Sequence, residues 1–262
     1  MVSATTRLRI ATFNVNSVRS RLPILERWLP ASGVDLLFLQ ETKVTDEEFP
    51  VEPFSAMGYR AWFCGEKSYN GVAALARIPL EIEAAFGFGD GGEPDFPTRV
   101  MTVRTESVTV LNTYVPQGKD IAHPDFEVKK KFLDRVRGIA EREMAGPFLW
   151  VGDLNVAPTE IDVTHPENKK NHVCFCQEIR DRFARTAEGM TDLLRAYHPE
   201  VGEYTFFDYR VKGALERNVG WRIDHALASP PLASRALDCF VDREPRGWER
   251  PSDHTPLVAD FG

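Results

Sequence analysis

Four acids and a histidine interrupt otherwise apolar stretches of the chain: Glu41 closes VDLLFLQET, Asp153 follows GPFLWVG, Asp224 breaks WRIDHALAS, and Asp253 with His254 stands in ERPSDHTPLVADF. Each occupies a place where a buried strand would hold a hydrophobe, and an unpartnered buried carboxylate is costly. Two amides repeat the pattern, because FNVN carries Asn14 and Asn16 while GDLN carries Asp153 and Asn155. Residues two apart on an extended strand share a face, so each pair can address one site. Taken singly, a strand-end Asp or Asn commonly caps a turn. If Glu41, Asp153, Asp224 and Asp253 converge, however, their mutual repulsion calls for a cation, and an oxygen donor set suits Mg²⁺, with Mn²⁺ as a substitute, better than zinc. A hard divalent ion among carboxylates, amides and one histidine is a site for phosphoryl chemistry.

The elements that must position these groups follow from periodicity. RLRIATFNVNS reads as a strand, RLPILERWLPAS as a helix and VDLLFLQET as a buried strand. GYRAWFCG and NGVAALARI continue as strands, and TRVMTVRTES with VTVLNTYVP reads as an antiparallel hairpin after the turn-rich GFGDGGEPDFP. FEVKKKFLDRVRGIAEREM is a long amphipathic helix leading into the strand before Asp153, and its Lys129, Lys130 and Lys131 read as a solvated face. Further strands are expected around YTFFDYR, WRIDHALAS and HTPLVADF. The two halves echo one another, each opening on an apolar strand that ends in Asn and later placing acids at strand ends. That predicts two sheets packed face to face with helices outside and polar strand ends meeting in one cleft.

The 262 residues fit a single α/β domain spanning 1–262, and 39 acidic against 32 basic side chains leave a net charge of −7. A polyanion would be repelled by the whole and must be received by a local basic patch or a bound cation. Cys64, Cys174, Cys176 and Cys239 show no paired CxxC spacing, and MVSATTRLRI lacks the apolar centre of a secretory signal, so reduced thiols in a cytoplasmic protein are expected. Cys174 and Cys176 with His172 form a lone CxC group, a weak zinc signal that reads more simply as buried thiols. No apolar run approaches the roughly 20 residues of a membrane span. His123, His165, His198 and His225 read as structural or surface histidines.

FNVNSVRSRL, LQETK, YNGVAALAR, NTYVPQG, GDLNVAPTEIDVTHP, NKKNH, NVGWRIDHALAS and SDHTPLVADF, in this order across nearly the whole chain, resemble the exonuclease III family of abasic-site (AP) endonucleases, in the endonuclease/exonuclease/phosphatase superfamily. The resemblance implies a DNase I-like fold, a four-layer α/β sandwich of two mixed, mostly antiparallel sheets. It implies an Mg²⁺ held by Glu41 with Asn16 and Asp253, and Asp153 directing an attacking water, in reach of the metal. Asn14 and Asn155 would bond Asp153 and the scissile phosphate, Tyr114 would touch the phosphate, and Asp224 would hold His254 against it. Whether Asp153 or His254 is the general base stays open. Phe206, Trp221 and Ile223 would form an apolar pocket for a flipped-out sugar lacking its base. Asn168, Lys169, Lys170, Asn171 and Gln117, with Lys119, would bind backbone phosphates, and Asp162 would brace the loop carrying Asn168 and Asn171. The implied activity is Mg²⁺-dependent incision of double-stranded DNA 5′ to abasic sites in base excision repair, by a monomer, with 3′→5′ exonuclease and 3′-end-trimming activity. A related phosphodiesterase acting on inositol phosphates or sphingomyelin would not call for NKKN and GWRID. A non-catalytic DNA-binding relative would have lost one of the acids or His254.

Overall fold

A computed structural model describes residues 7–200 and 202–262; Met1–Thr6, the start of MVSATTRLRI, on which the expected absence of a secretory signal rests, lie outside it. Strand β1 (Leu8–Asn14), helix α1 (Val18–Ser32) and strand β2 (Leu36–Gln40) begin the chain, and α2 (Val51–Ala56), β3 (Tyr59–Glu66) and β4 (Tyr69–Arg77) follow. The middle of the chain contributes β5 (Glu83–Phe86), β6 (Val100–Arg104), β7 (Thr109–Tyr114), α3 (Pro124–Glu143) and β8 (Phe148–Asp153). The remainder forms α4 (Gln177–Thr186), β9 (Thr191–Asp192), α5 (Leu193–Tyr197), β10 (Asp224–Ala228), α6 (Pro230–Ala233), β11 (Ala236–Val241) and β12 (Leu257–Phe261).

The strands build two six-stranded sheets, ordered β11-β12-β1-β2-β4-β3 and β5-β6-β7-β8-β10-β9. Both are mixed: β1 runs parallel to β2 and β7 parallel to β8, and the other pairs are antiparallel. Inner faces meet through Ile10, Phe38, Ala74, Met101, Val110 and Val151. The outer face of the first sheet packs Phe13, Leu37 and Leu39 on Leu25 and Trp28 of α1, and that of the second packs Leu111 and Trp150 on Phe132, Leu133 and Phe183 of α3 and α4. Because both faces are covered, β2 and β8 are buried throughout, which is why they read as unbroken apolar runs. This is the expected four-layer sandwich.

Two local expectations do not survive, and two edge strands carry no signal in the sequence. The segment YTFFDYR forms no strand; Phe206 makes only single bridges to Trp221 and His254, and β10 begins at Asp224, because Arg222 N turns away to bond Asp162 O at 2.8 Å. The edge strands β5 and β11 were not visible in the sequence, since their partly exposed residues give no long apolar run. Finally, Lys129 and Lys130 do not lie on a solvated face. Helix α3 turns Phe126, Lys129, Lys130, Leu133 and Val136 inward at helical spacing, leaving Lys129 wholly buried while Lys130 pairs with Glu127 and Glu178.

Candidate active site

Strand register alone collects most of the chemistry. Tyr114 lies opposite Asp153 in the parallel β7–β8 pair, Asp224 lies opposite Asp153 in the antiparallel β8–β10 pair, and Asn14 lies opposite Gln40, one residue before Glu41. All sit at one end of the sandwich. The close approach of β7 and β8 at this end depends on Gly152, whose φ of 130° and contact with Thr113 leave no room for a Cβ, which would meet the Thr113 carbonyl oxygen at 2.0 Å. Asn16, Glu41, Lys43 and Asn155 all hold left-handed backbone, with φ between 44° and 56°, a concentration of strain of the kind found at functional sites.

Asn14 joins the two sheets. Its Nδ2 donates to Glu41 Oε1 and to Asp153 Oδ2, both at 2.9 Å, and its Oδ1 accepts from Asn16 N at 3.0 Å. Asp153 Oδ1 accepts from Asn155 N at 3.0 Å, and Asn155 Nδ2 donates to the Val115 carbonyl at 3.0 Å. His254 Nδ1 lies 2.8 Å from Asp224 Oδ2 and its Nε2 lies 3.8 Å from Asp153 Oδ2. Ser252 steadies this arm, donating to Asn14 O at 2.7 Å and accepting from His254 N.

Burial pushes the Asp153 carboxyl well above its ordinary value, with Asp224 and Glu41 adding to the effect against His254 and the Asn14 amide. Burial opposes the His254 imidazolium, but Asp224 and Asp153 outweigh it and raise its pKa, so the ring carries a proton at neutral pH. Burial likewise lifts the Tyr114 hydroxyl, helped by Glu41 and Asp153. Asp224 Oδ1 is buried without a hydrogen-bond partner among the described residues.

These groups open into a cleft of about 440 Å³. Glu41, Tyr114, Asp153, Asn155, Asp253 and His254 line it together with Phe206, Trp221, Ile223, Lys169, His172 and Gln117, and the Phe206 ring packs edge-on to His254 with centroids 5.0 Å apart. Asn14 and Asp224 stand behind the floor, both fully buried. Asn168, Lys170 and Asn171 are exposed on the adjoining loop and do not line the cleft. Asp162 does not brace that loop; it accepts from Arg222 Nε at 2.7 Å and from the Arg195 guanidinium, and caps Thr159.

Two further groups stand at the site. Lys43, inside the LQETK motif, places Nζ 2.6 Å from Glu41 Oε2 and 2.5 Å from Asn16 Oδ1, while Asn16 Nδ2 donates to Asp253 Oδ1 at 3.0 Å. His172, which the sequence offers only as a weak zinc ligand beside Cys174 and Cys176, packs on Trp221 with ring centroids 4.7 Å apart and lines the cleft. Among the described residues no three Asp, Glu, His or Cys side chains gather on one metal-sized point. The oxygen donors of Glu41, Asn16 and Asp253 nevertheless suit a hard cation, and the first two already hold an ammonium.

The model of the endonuclease/exonuclease/phosphatase family matches residues 11–254. The chain belongs to that family. It is 34% identical to exodeoxyribonuclease III of Haemophilus influenzae over 97% of this chain and all of that one. An AP endonuclease from Archaeoglobus fulgidus superposes with a TM-score of 0.93 at 45% identity, covering 97% of this chain and 99% of that one. The 3′ phosphatase NExo from Neisseria, solved with a product DNA hairpin, superposes with a TM-score of 0.91 at 36% identity, with the same coverage. The protein is therefore a hydrolase of the exodeoxyribonuclease III class, in a family of metal-dependent nucleases. No helix among the described residues is long and apolar enough to cross a membrane.

Proposed function

We propose that this family member is an Mg²⁺-dependent AP endonuclease, a monomer of the cytoplasm that hydrolyses the phosphodiester 5′ to an abasic site in double-stranded DNA. The product would carry a 3′ hydroxyl, and the same chemistry would serve 3′→5′ exonuclease and 3′-phosphodiesterase reactions. The observation that carries this reading is the meeting of the Asn14–Glu41–Asp153 bridge and the Asp224–His254 pair at a cleft also lined by Phe206, Trp221 and Ile223, with the Phe206 ring 5.0 Å from the His254 ring. That apolar lining suits a base-free sugar turned out of the duplex. Four free cysteines accord with a reducing compartment.

Glu41, with Asn16 and Asp253, would hold the metal. When bound, the metal supplies positive charge against the phosphate and the departing 3′ oxygen. Asp153, held by the Asn14 side chain and the backbone N–H of Asn155, has its carboxyl fixed to orient a water and take its proton. Asp224 occupies Nδ1 of His254, so the Nε2 proton is free for a phosphate oxygen, which favours Asp153 as base and His254 as electrostatic partner. Tyr114 would donate its hydroxyl to the phosphate, with Arg99 stacked 4.4 Å from its ring.

The deciding assay is incision of a duplex bearing one abasic analogue, with magnesium and with chelator, with Asp153→Asn in parallel. Wild type is expected to cut 5′ to the lesion only with metal, and the variant to lose at least about 10³-fold in kcat, the scale of a missing base together with its positioning role. Absence of cleavage under every metal condition would sink the reading.

A further inference from the structure

Lys129 has no role in the chemistry above, yet it is the one lysine of α3 placed wholly inside, directly beneath the cleft. Its Nζ donates to Asn155 O at 2.7 Å, Val173 O at 2.7 Å and Gln117 O at 3.1 Å, and lies 3.9 Å from Cys174 Sγ. The three carbonyls belong to three separate loops: the exit of β7, the exit of β8 and the segment leading to α4. An ammonium has three protons, and each finds one loop. We propose that Lys129 is a positioning residue for hydrolysis, a tethered cation that draws these loops together and fixes Asn155 and the Gln117 side of the cleft.

A buried ammonium without a carboxylate partner is a poor device for packing a helix on a sheet, and an apolar side chain of similar volume would do that as well or better. What the apolar side chain cannot do is satisfy three converging carbonyls. Asn155 shows the consequence. Its backbone is left-handed, its N–H is given to Asp153, its amide to Val115 and its carbonyl to Lys129, so each polar group of the residue but the side-chain oxygen is tied down, and that oxygen meets only the Cys174 thiol at 3.8 Å. The Gln117 loop closes over the lysine stem at Gly118, φ 97°, where a Cβ would come within 3.4 Å of Lys129 Cδ and 3.3 Å of the Phe126 ring. Removing the charge would leave three carbonyls without a donor and loosen the loops together, with Val115 N–Asp153 O, Asn155 Nδ2–Val115 O and Ala157 N–Cys174 O as the direct bonds still joining them.

The inference rests on the reading of the cleft as a phosphodiester-hydrolysing site, so its test carries a readout that needs no substrate. Lys129→Met and Lys129→Gln are compared with wild type and with Leu133→Ala, a cavity in the core one turn further along α3. Backbone amide exchange is expected to rise in residues 115–119, 153–157 and 172–176 together in both Lys129 variants. In Leu133→Ala the melting temperature falls while those three segments keep their protection. On the abasic duplex, at a temperature where all variants are folded, kcat should fall at least tenfold for Lys129→Met with KM changed less than threefold, and stay within twofold for Leu133→Ala. Unchanged exchange in the three loops, or a kcat for the Lys129 variants no lower than that of Leu133→Ala, would overturn the proposal. A wild type that cuts no DNA would count against the proposed function and leave the exchange result to decide on Lys129.

Discussion

Two clusters of buried carboxylate lie at neighbouring ends of β8 and β10, and they are solved in opposite ways. Asp162 is wholly buried and receives two guanidiniums, Arg222 and Arg195, plus the Thr159 cap; Arg222 in turn reaches Asp192 and His225. Burial alone would raise its carboxyl, but the arginines overcome that and hold it far below the usual carboxylate range. Asp153, equally enclosed, has one amide, one backbone N–H and a histidine 3.8 Å away that Asp224 already engages, and its carboxyl is driven up. The saturated cluster has nothing left to offer a ligand. The unsaturated one is left short of partners by the fold, and it is the cluster we propose for proton transfer.

Removing a charge should therefore have opposite effects on stability in the two places. Asp162→Asn leaves Arg222 and Arg195 enclosed without their common anion, and a loss of about 3–5 kcal/mol in unfolding free energy is expected, measured by urea denaturation. Asp153→Asn removes a carboxylate from beside Asp224 and Glu41 and should leave the denaturation midpoint in chelator unchanged or higher, while its kcat in magnesium falls by at least about 10³-fold. If Asp162→Asn were the milder of the two for stability, the contrast between saturated and unsaturated clusters would be wrong.

The unsaturated cluster was legible in the sequence and the saturated one was not. Buried strands make apolar runs, so Glu41, Asp153 and Asp224 stand out as interruptions, and a period of two tells which neighbours share their face. Asp162 meets Arg222 and Arg195 across 60 and 33 residues, and nothing local marks either arginine as internal. Lys129 was hidden for a similar reason. A run of three lysines on an amphipathic helix ordinarily faces water, and only the carbonyls of Gln117, Asn155 and Val173, brought in by three loops, make an inward lysine tolerable. The sandwich itself followed from strand periodicity, whereas two of its edge strands, β5 and β11, are partly exposed and carried no such signal.

The saturated cluster also predicts how stability responds to acid. His225 is buried, with Nε2 2.8 Å from the Val156 carbonyl and Nδ1 3.0 Å from Arg222 Nη1; only the neutral ring with its proton on Nε2 satisfies both. Burial and the arginine lower its pKa from 6.5 to about 4. The unfolded chain takes up this proton as pH falls through about 6.5, the folded chain not until about 4, so the contribution is complete above the unfolded value and is lost as pH drops across that window. Wild type should lose about 2 kcal/mol between pH 7 and 5 from this residue. In His225→Gln that part of the slope should vanish. Equal slopes in both would place the acid sensitivity elsewhere.

Surface charge offers the smallest effect and a control for both clusters. Lys169 is half-buried, with Nζ 5.5 Å from the Trp221 ring centroid, and Lys170 is exposed beside it. Neither takes part in a buried pair, so replacing both by Glu should leave the melting temperature within about 1 °C, in line with the small value of solvated charges. Duplex affinity should nevertheless fall about tenfold at 0.1 M salt, because a chain of net charge −7 depends on local cations to receive phosphate. The loss should shrink as salt rises, with the slope of log affinity against log salt reduced by about 0.9 for each phosphate contact removed. A constant deficit across salt would mean that the two lysines shape the cleft around Trp221 instead of meeting DNA. Unchanged binding would move the DNA path away from this loop altogether.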